Sequence, residues 1–110
     1  MVVTMSVNQL CGHKSLVTAV SNGRKTHVHI ETDCQQLQEW GCDFDLPNVE
    51  MSQQTIPYYE LLVKSMKKEI CDNCYVPPTV MNAYWVENEK ISKGLAMKIA
   101  EIPIIIEEIE

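Results

Sequence analysis

Basic residues are scarce. Nine Lys and Arg stand against fifteen Asp and Glu, for a formal net charge of −6. Phosphate backbones are gripped by clustered basic side chains. Here the adjacent basic pairs are Arg24-Lys25 and Lys67-Lys68, so nucleic acid is not an expected partner. No apolar run approaches the roughly 20 residues of a membrane span. The opening MVVTMSVNQLCGHK has neither the basic start nor the apolar core of a signal peptide. The cytoplasm is therefore the expected compartment, where thiols stay reduced. No internal repeat, low-complexity tract or linker interrupts the 110 residues, which read as one domain, 1–110. No Ser–His–Asp set, phosphate loop or paired-carboxylate site can be assembled, which makes an enzyme the less expected class.

Cysteine, by contrast, is abundant: Cys11, Cys34, Cys42, Cys71 and Cys74. An odd number argues against a complete disulfide framework. In a reduced compartment such a set points to metal binding or catalysis, although free cysteines also serve as small buried hydrophobes. Cys71 and Cys74 form a lone C-x-x-C in KEICDNCYVPP. One copy is not a zinc-ribbon signature. The pair follows a helical pattern and does not open one, which distinguishes it from a thioredoxin-type redox site.

The local patterns predict an α+β fold: a small antiparallel sheet of about three strands, covered on one face by three helices. Asn22-Gly23 between SLVTAV and THVHIET is the signal of a two-residue hairpin turn joining strands over 14–20 and 25–32. With that loop, Ala19 faces Thr26, Val17 faces Val28 and Ser15 faces Ile30. The other face carries Lys14, Thr18, His27, His29 and Glu31, and is the wetter one. Extended to its end, the register sets Cys11 opposite Cys34, on the apolar face. Helices are expected over 33–40, 57–70 and 78–89, with Pro57 suited to a first turn. Cys34 then falls in a helix's first turn. The β-branched run IIIEEIE predicts a third strand near 103–108, and VVTMSV a further edge strand. CDFDLPNVEMSQQT has no clear period and reads as a loop, with Cys42 as a partly buried loop thiol.

The helices must cover the face that holds Cys11 and Cys34. If the 71–74 connection lands at that end of the sheet, the thiols of Cys11, Cys34, Cys71 and Cys74 converge. Four thiolates are the ligand set of a structural zinc and equally of a simple iron–sulfur cluster. His13, on the same face, is a further candidate ligand. Three function classes follow: a metal or cluster carrier, an interaction module held by a structural zinc, and a thiol-redox protein using Cys71 and Cys74.

The layout resembles the iron–sulfur assembly scaffolds of the NifU/IscU type. Cys11-Gly12 before a hairpin matches the first ligand motif of that family, Cys34 the second, and Cys71 or Cys74 after a lysine-rich helix the third. The match spans roughly residues 11 to 88. It implies a three-stranded antiparallel sheet covered by helices, and a scaffold or carrier that exchanges metal or sulfur with a protein partner. His13 stands where those scaffolds carry an acidic residue, and Asp33 where they carry a glycine. The chain also resembles a family of small uncharacterised proteins found mainly in methanogenic archaea. The shared features are Cys11-Gly12, Val17-Thr18-Ala19, Asp33-Cys34, Cys74 with Val76-Pro77, and Gly94-Leu95-Ala96. That likeness implies Cys74 as the matching site and Cys71 as its more variable partner, and brings no established activity.

Overall fold

The computed structural model describes residues 2–110. Strict alternation builds the centre of the sheet. In Lys14–Ser21 (β2) and Lys25–Thr32 (β3) every second side chain turns inward, as a strand's period of two requires. Val17, Ala19 and Val28 are fully buried there, with Ile30 nearly so. Val3–Asn8 (β1) pairs antiparallel with β2, and Asp43–Pro47 (β4) pairs antiparallel with β3. The sheet order is β1-β2-β3-β4.

This differs from the three-strand expectation at two places. The segment read as a loop contains β4. It is short, and its outward Asp43 and Asp45 are held by His29 and His27 of β3, a pairing no local pattern announces. The C-terminal strand expected near 103–108 is not formed: residues 101–110 have no regular structure and are exposed throughout. A β-branched run fits a pleated, half-buried surface; with no strand beside it, this run has nothing to fit.

The hairpin turn also differs from expectation. Asn22 and Lys25 are paired through Asn22 N–H and the Lys25 carbonyl at 3.0 Å. The loop is thus Gly23-Arg24, with φ at +96° on Gly23, the Gly-first pattern of a type II′ connection. Asn22 does not take the left-handed position. Its Oδ1 instead accepts from the amides of Arg24 and Lys25, at 3.1 and 3.0 Å. Partners slide by two residues, so Val17 faces Ile30 and Ser15 faces Thr32. An even slide leaves the faces unchanged.

Three helices cover the inner face: Gln35–Trp40 (α1), Thr55–Lys67 (α2) and Val76–Glu87 (α3). Each starts or stops within a few residues of the expected range. Pro57 sits in the first turn of α2, and Pro77 and Pro78 in that of α3, where a missing N–H costs nothing. A short 3₁₀ turn, Met51–Gln53, precedes α2, and a fourth helix, Lys93–Ile99 (α4), follows α3. α3 lies across β1 and β2 and buries Val76, Val80, Ala83 and Tyr84.

One end of the sheet is fastened by polar contacts. The Tyr84 hydroxyl donates to the Pro47 carbonyl at 2.8 Å and accepts from Val49 N–H at 3.3 Å. The buried Glu87 carboxylate accepts from Ser21 N–H at 2.8 Å and from Lys93 Nζ at 3.0 Å. α1 stops at Gly41, where φ is +112°. An added Cβ there would meet Lys64 Nζ at 2.6 Å. That ammonium lies 4.7 Å from the Trp40 ring and 4.5 Å from the Phe44 ring, a cation–π arrangement. Among the described residues no helix is long and apolar enough to cross a membrane.

Candidate functional site: a cysteine-lined cavity at the end of the sheet

Three connections meet at the other end of the sheet. The first is the turn between β1 and β2. Asn8 pairs with Lys14, and Gln9 N–H donates to the His13 carbonyl at 3.3 Å. Leu10, Cys11 and Gly12 form the tip, with Gly12 at φ +86°, a conformation costly for a residue with a Cβ. The second is the step from β3 into α1. Cys34 is the N-cap of α1, not a first-turn residue, and its amide donates to Thr32 Oγ1 at 3.1 Å. The third is the link from α2 to α3, where Cys74 N–H donates to the Cys71 carbonyl at 3.0 Å. α3 then begins at Val76, two residues ahead of the expected start.

These connections enclose a cavity of about 150 Å³, and Cys11, Cys34, Cys71 and Cys74 all line it, with His13 beside them. The condition left open by the sequence is therefore met: the C-x-x-C link does reach the end of the hairpin. Cys11 and Cys34 are not directly opposite, however. Continuing the observed ladder sets residue 13 level with residue 34, and Cys11 lies in the turn beyond. The side-by-side pairing is therefore not formed; the two thiols meet only as lining of one cavity.

The thiols differ in environment. Cys11 and Cys71 are exposed, while Cys34, Cys42 and Cys74 are half-buried. The Cys71 thiol donates to Gln36 Oε1 at 3.4 Å. Burial pushes the Cys74 thiol above its ordinary range, against the opposing pull of Val76 N–H and the Gln9 side chain. Nearby Cys34 and Cys11 raise it slightly further. Burial likewise pushes Cys42 up, with the adjacent Asp43 adding to it. Cys42 lies outside the cavity lining and its thiol donates to the Leu37 carbonyl at 3.6 Å.

His13 is oriented by a carboxylate. Its Nδ1 lies 2.9 Å from Asp33 Oδ1, and this contact holds the Asp33 carboxyl below its ordinary range. An imidazole that donates through Nδ1 keeps a lone pair on Nε2, the arrangement usual for metal-binding histidines. Among the described residues, no group of three or more His, Cys, Asp or Glu side chains is placed so that it could hold a metal ion as it stands. The four thiols sit on a turn, an N-cap and an interhelical link.

Amide residues complete the site and carry no recognisable motif. Gln9 Oε1 accepts from Tyr75 N–H at 2.8 Å, and Gln36 holds Cys71. His27 and His29 are remote from the cavity, on the open sheet face as expected. There His27 bridges Asp45 at 2.9 Å and Asp43 at 3.1 Å, and His29 meets Asp43 at 2.8 Å.

No curated protein and no solved structure matches the chain. Residues 3–99, which include every cysteine and all the elements just described, match a family of unknown function, DUF6951, and the chain belongs to that family.

Proposed function

We propose that this protein binds a thiophilic metal ion or an iron–sulfur cluster at the cysteine-lined cavity and acts as its carrier or scaffold. Cys11, Cys34 and Cys74 are the core ligands, and Cys71 or His13 completes the set. The observation that carries the reading is the meeting of four cysteines from three separate connections around one cavity. A thiolate set supplies soft, anionic donors suited to zinc or to iron–sulfur centres. The chain's own residues hold these donors: Gln9 fastens the interhelical link and Asp33 orients His13.

Two features favour a carrier over a structural zinc module. Val17, Val28, Val80 and Tyr84 are fully buried in a core against which Cys34 and Cys74 pack while Cys11 and Cys71 do not. Cys11 and Cys71 are open to solvent, within reach of a protein that donates or receives metal or sulfur. The redox reading is less well supported. A reactive thiol needs a lowered pKa, and burial moves Cys74 the other way.

Anaerobic purification followed by metal and sulfide analysis tests the reading. Bound iron with sulfide, or zinc, is expected at substoichiometric to stoichiometric amounts, and loss of it in Cys34→Ala. Metal-free protein in which Cys71 and Cys74 cycle as a disulfide would contradict it.

A further inference from the structure

Two features that the fold leaves unused match each other. The first is the outer edge of β4, where the sheet ends. Ile30 N–H donates to the Cys42 carbonyl at 2.8 Å, and Asn48 N–H to the Arg24 carbonyl at 3.0 Å. An antiparallel ladder alternates, so the even-numbered residues here bond to β3. The N–H and C=O groups of Asp43 and Asp45 point away from the sheet, a template for a further strand. Beside this edge, between β4 and α2, lies a cavity of about 290 Å³ lined by Trp40, Phe44, Lys64, Lys67 and Lys68. None of these lysines has a carboxylate partner among the described residues. Of the two acids at the rim, Asp45 is taken by Lys25 and His27, which leaves Glu60 against three lysines. Lys64 is half-buried, and burial pulls its ammonium below the ordinary range.

The second feature is the segment 101–110. It carries five isoleucines, all exposed, and four glutamates, with no basic residue. Its β-branched run suits a strand, and its charge is opposite to that of the lysines. In its own chain the segment lies clear of the cavity. We infer that residues 104–107 of a second copy add to the free edge of β4 as an antiparallel strand, reciprocally in the two subunits. Strand addition of this kind takes affinity from the backbone and specificity from alternate side chains.

One register satisfies both. Ile104 of the partner subunit lies opposite Asp45 and Ile106 of the partner subunit opposite Asp43, which completes four backbone hydrogen bonds and keeps glutamates off the two aspartates. Ile105 of the partner subunit then shares the inner face with Phe44 and enters the cavity, since opposed residues point the same way. Glu107 of the partner subunit comes level with Cys42, beside Lys64, whose ammonium borders Gly41. Pro103 of the partner subunit falls where its missing N–H points away from β4. A slide of one residue sets either a glutamate against Asp43 or that proline against the Asp45 carbonyl. Reciprocal exchange about a two-fold axis is closed and stops at a dimer.

Sedimentation equilibrium of the full chain with a thiol reductant, from about 1 to 100 µM, together with amide hydrogen exchange over the same range, tests the assignment. A species of twice the 12.6 kDa chain mass is expected at the higher concentrations, with the Asp43 and Asp45 amides slowing as it forms. Ile106→Asp and Glu107→Lys should each weaken the association roughly tenfold or more, by setting like charges together at two symmetric contacts. Both positions are exposed in a segment without regular structure, so the circular dichroism should not change. A monomer at the top concentration, or a dimer undiminished by Ile106→Asp, overturns the proposal. So does protection of the outward β1 amides in place of Asp43 and Asp45, or protection that does not depend on concentration, which would mean that the chain's own segment folds back. The cysteine cavity takes no part in these readouts, so they stand apart from the carrier reading.

Discussion

The amide of Tyr75 donates to the side-chain oxygen of Gln9 across 2.8 Å, joining residues sixty-six positions apart in the chain. This bond ties the β1–β2 turn, which holds Cys11, to the link that holds Cys71 and Cys74. The cysteine cavity depends on that juxtaposition. Gln9→Ala is expected to cost about 1 kcal/mol of stability, the usual worth of one such bond, and to weaken metal binding. Urea unfolding and competition with a chromophoric chelator measure the two. Gln9→Glu, which keeps an acceptor, should recover most of the stability. Unchanged metal affinity in Gln9→Ala would show that the link is held without this bond.

Thiol reactivity should follow burial. Cys11 and Cys71 are exposed and should be alkylated first by iodoacetamide at neutral pH; Cys42 and Cys74, half-buried and pushed toward the thiol form, should lag. Timed quenching and peptide mass spectrometry give the order. Cys74 reacting first would mark it as an activated nucleophile and favour the redox reading.

Contacts at the far end of the sheet should matter for stability alone. Tyr84→Phe leaves the Pro47 carbonyl and Val49 N–H without their partner. A loss of about 1 kcal/mol is expected, the usual worth of a hydrogen bond between half-buried groups. Metal content per folded molecule should not change. A matching loss of metal would mean that the two ends of the sheet are coupled.

Much of this architecture is legible in the residues themselves. The hairpin faces follow from alternation in SLVTAV and THVHIET, and they survive a wrong choice of loop because the error is an even slide. The convergence of the C-x-x-C with Cys11 and Cys34 is only a condition in the sequence, because no local pattern says at which end of the sheet the 71–74 link lands; the folded chain meets it. The register does not follow, because Asn22 has two uses in a turn. It can adopt the left-handed conformation, or its side chain can accept from the next amides, and only the folded chain distinguishes them. β4 is hidden because Asp43 and Asp45 look like loop residues until His29 and His27 are beside them. The tail misleads for the opposite reason: its isoleucines have strand propensity but no strand partner. Gln9 and Gln36 are invisible because a side-chain amide, in a turn or on a helix, has no pattern until its acceptor oxygen finds a donor.

The open sheet face should respond to pH. Hydrogen bonds to Asp45 and then Asp43 raise His27 above 6.5. Its contribution to stability is therefore complete below that value and is lost as pH rises through the folded pKa. Asp43 and Asp45 are lowered from 3.8, chiefly by His29 for the first and His27 for the second. Their contribution is present above that value and is lost as pH falls through their folded pKa values. NMR titration of the His27 ring should give a midpoint above 6.5, and Asp45→Asn should lower it. A midpoint unmoved by Asp45→Asn would show that the pair does not persist in solution.

The cavity lined by Cys11, Cys34, Cys71 and Cys74 is proposed as a metal centre. Its most direct test is the absorption spectrum of anaerobically purified protein, taken with iron, zinc and acid-labile sulfide content. The expected result is either a broad band near about 400 nm with iron and sulfide, from thiolate-bound iron, or a colourless protein holding zinc. Either should be lost in Cys34→Ala and retained in Cys42→Ala. A protein without metal, or one whose metal is lost in Cys42→Ala and kept in Cys34→Ala, contradicts it.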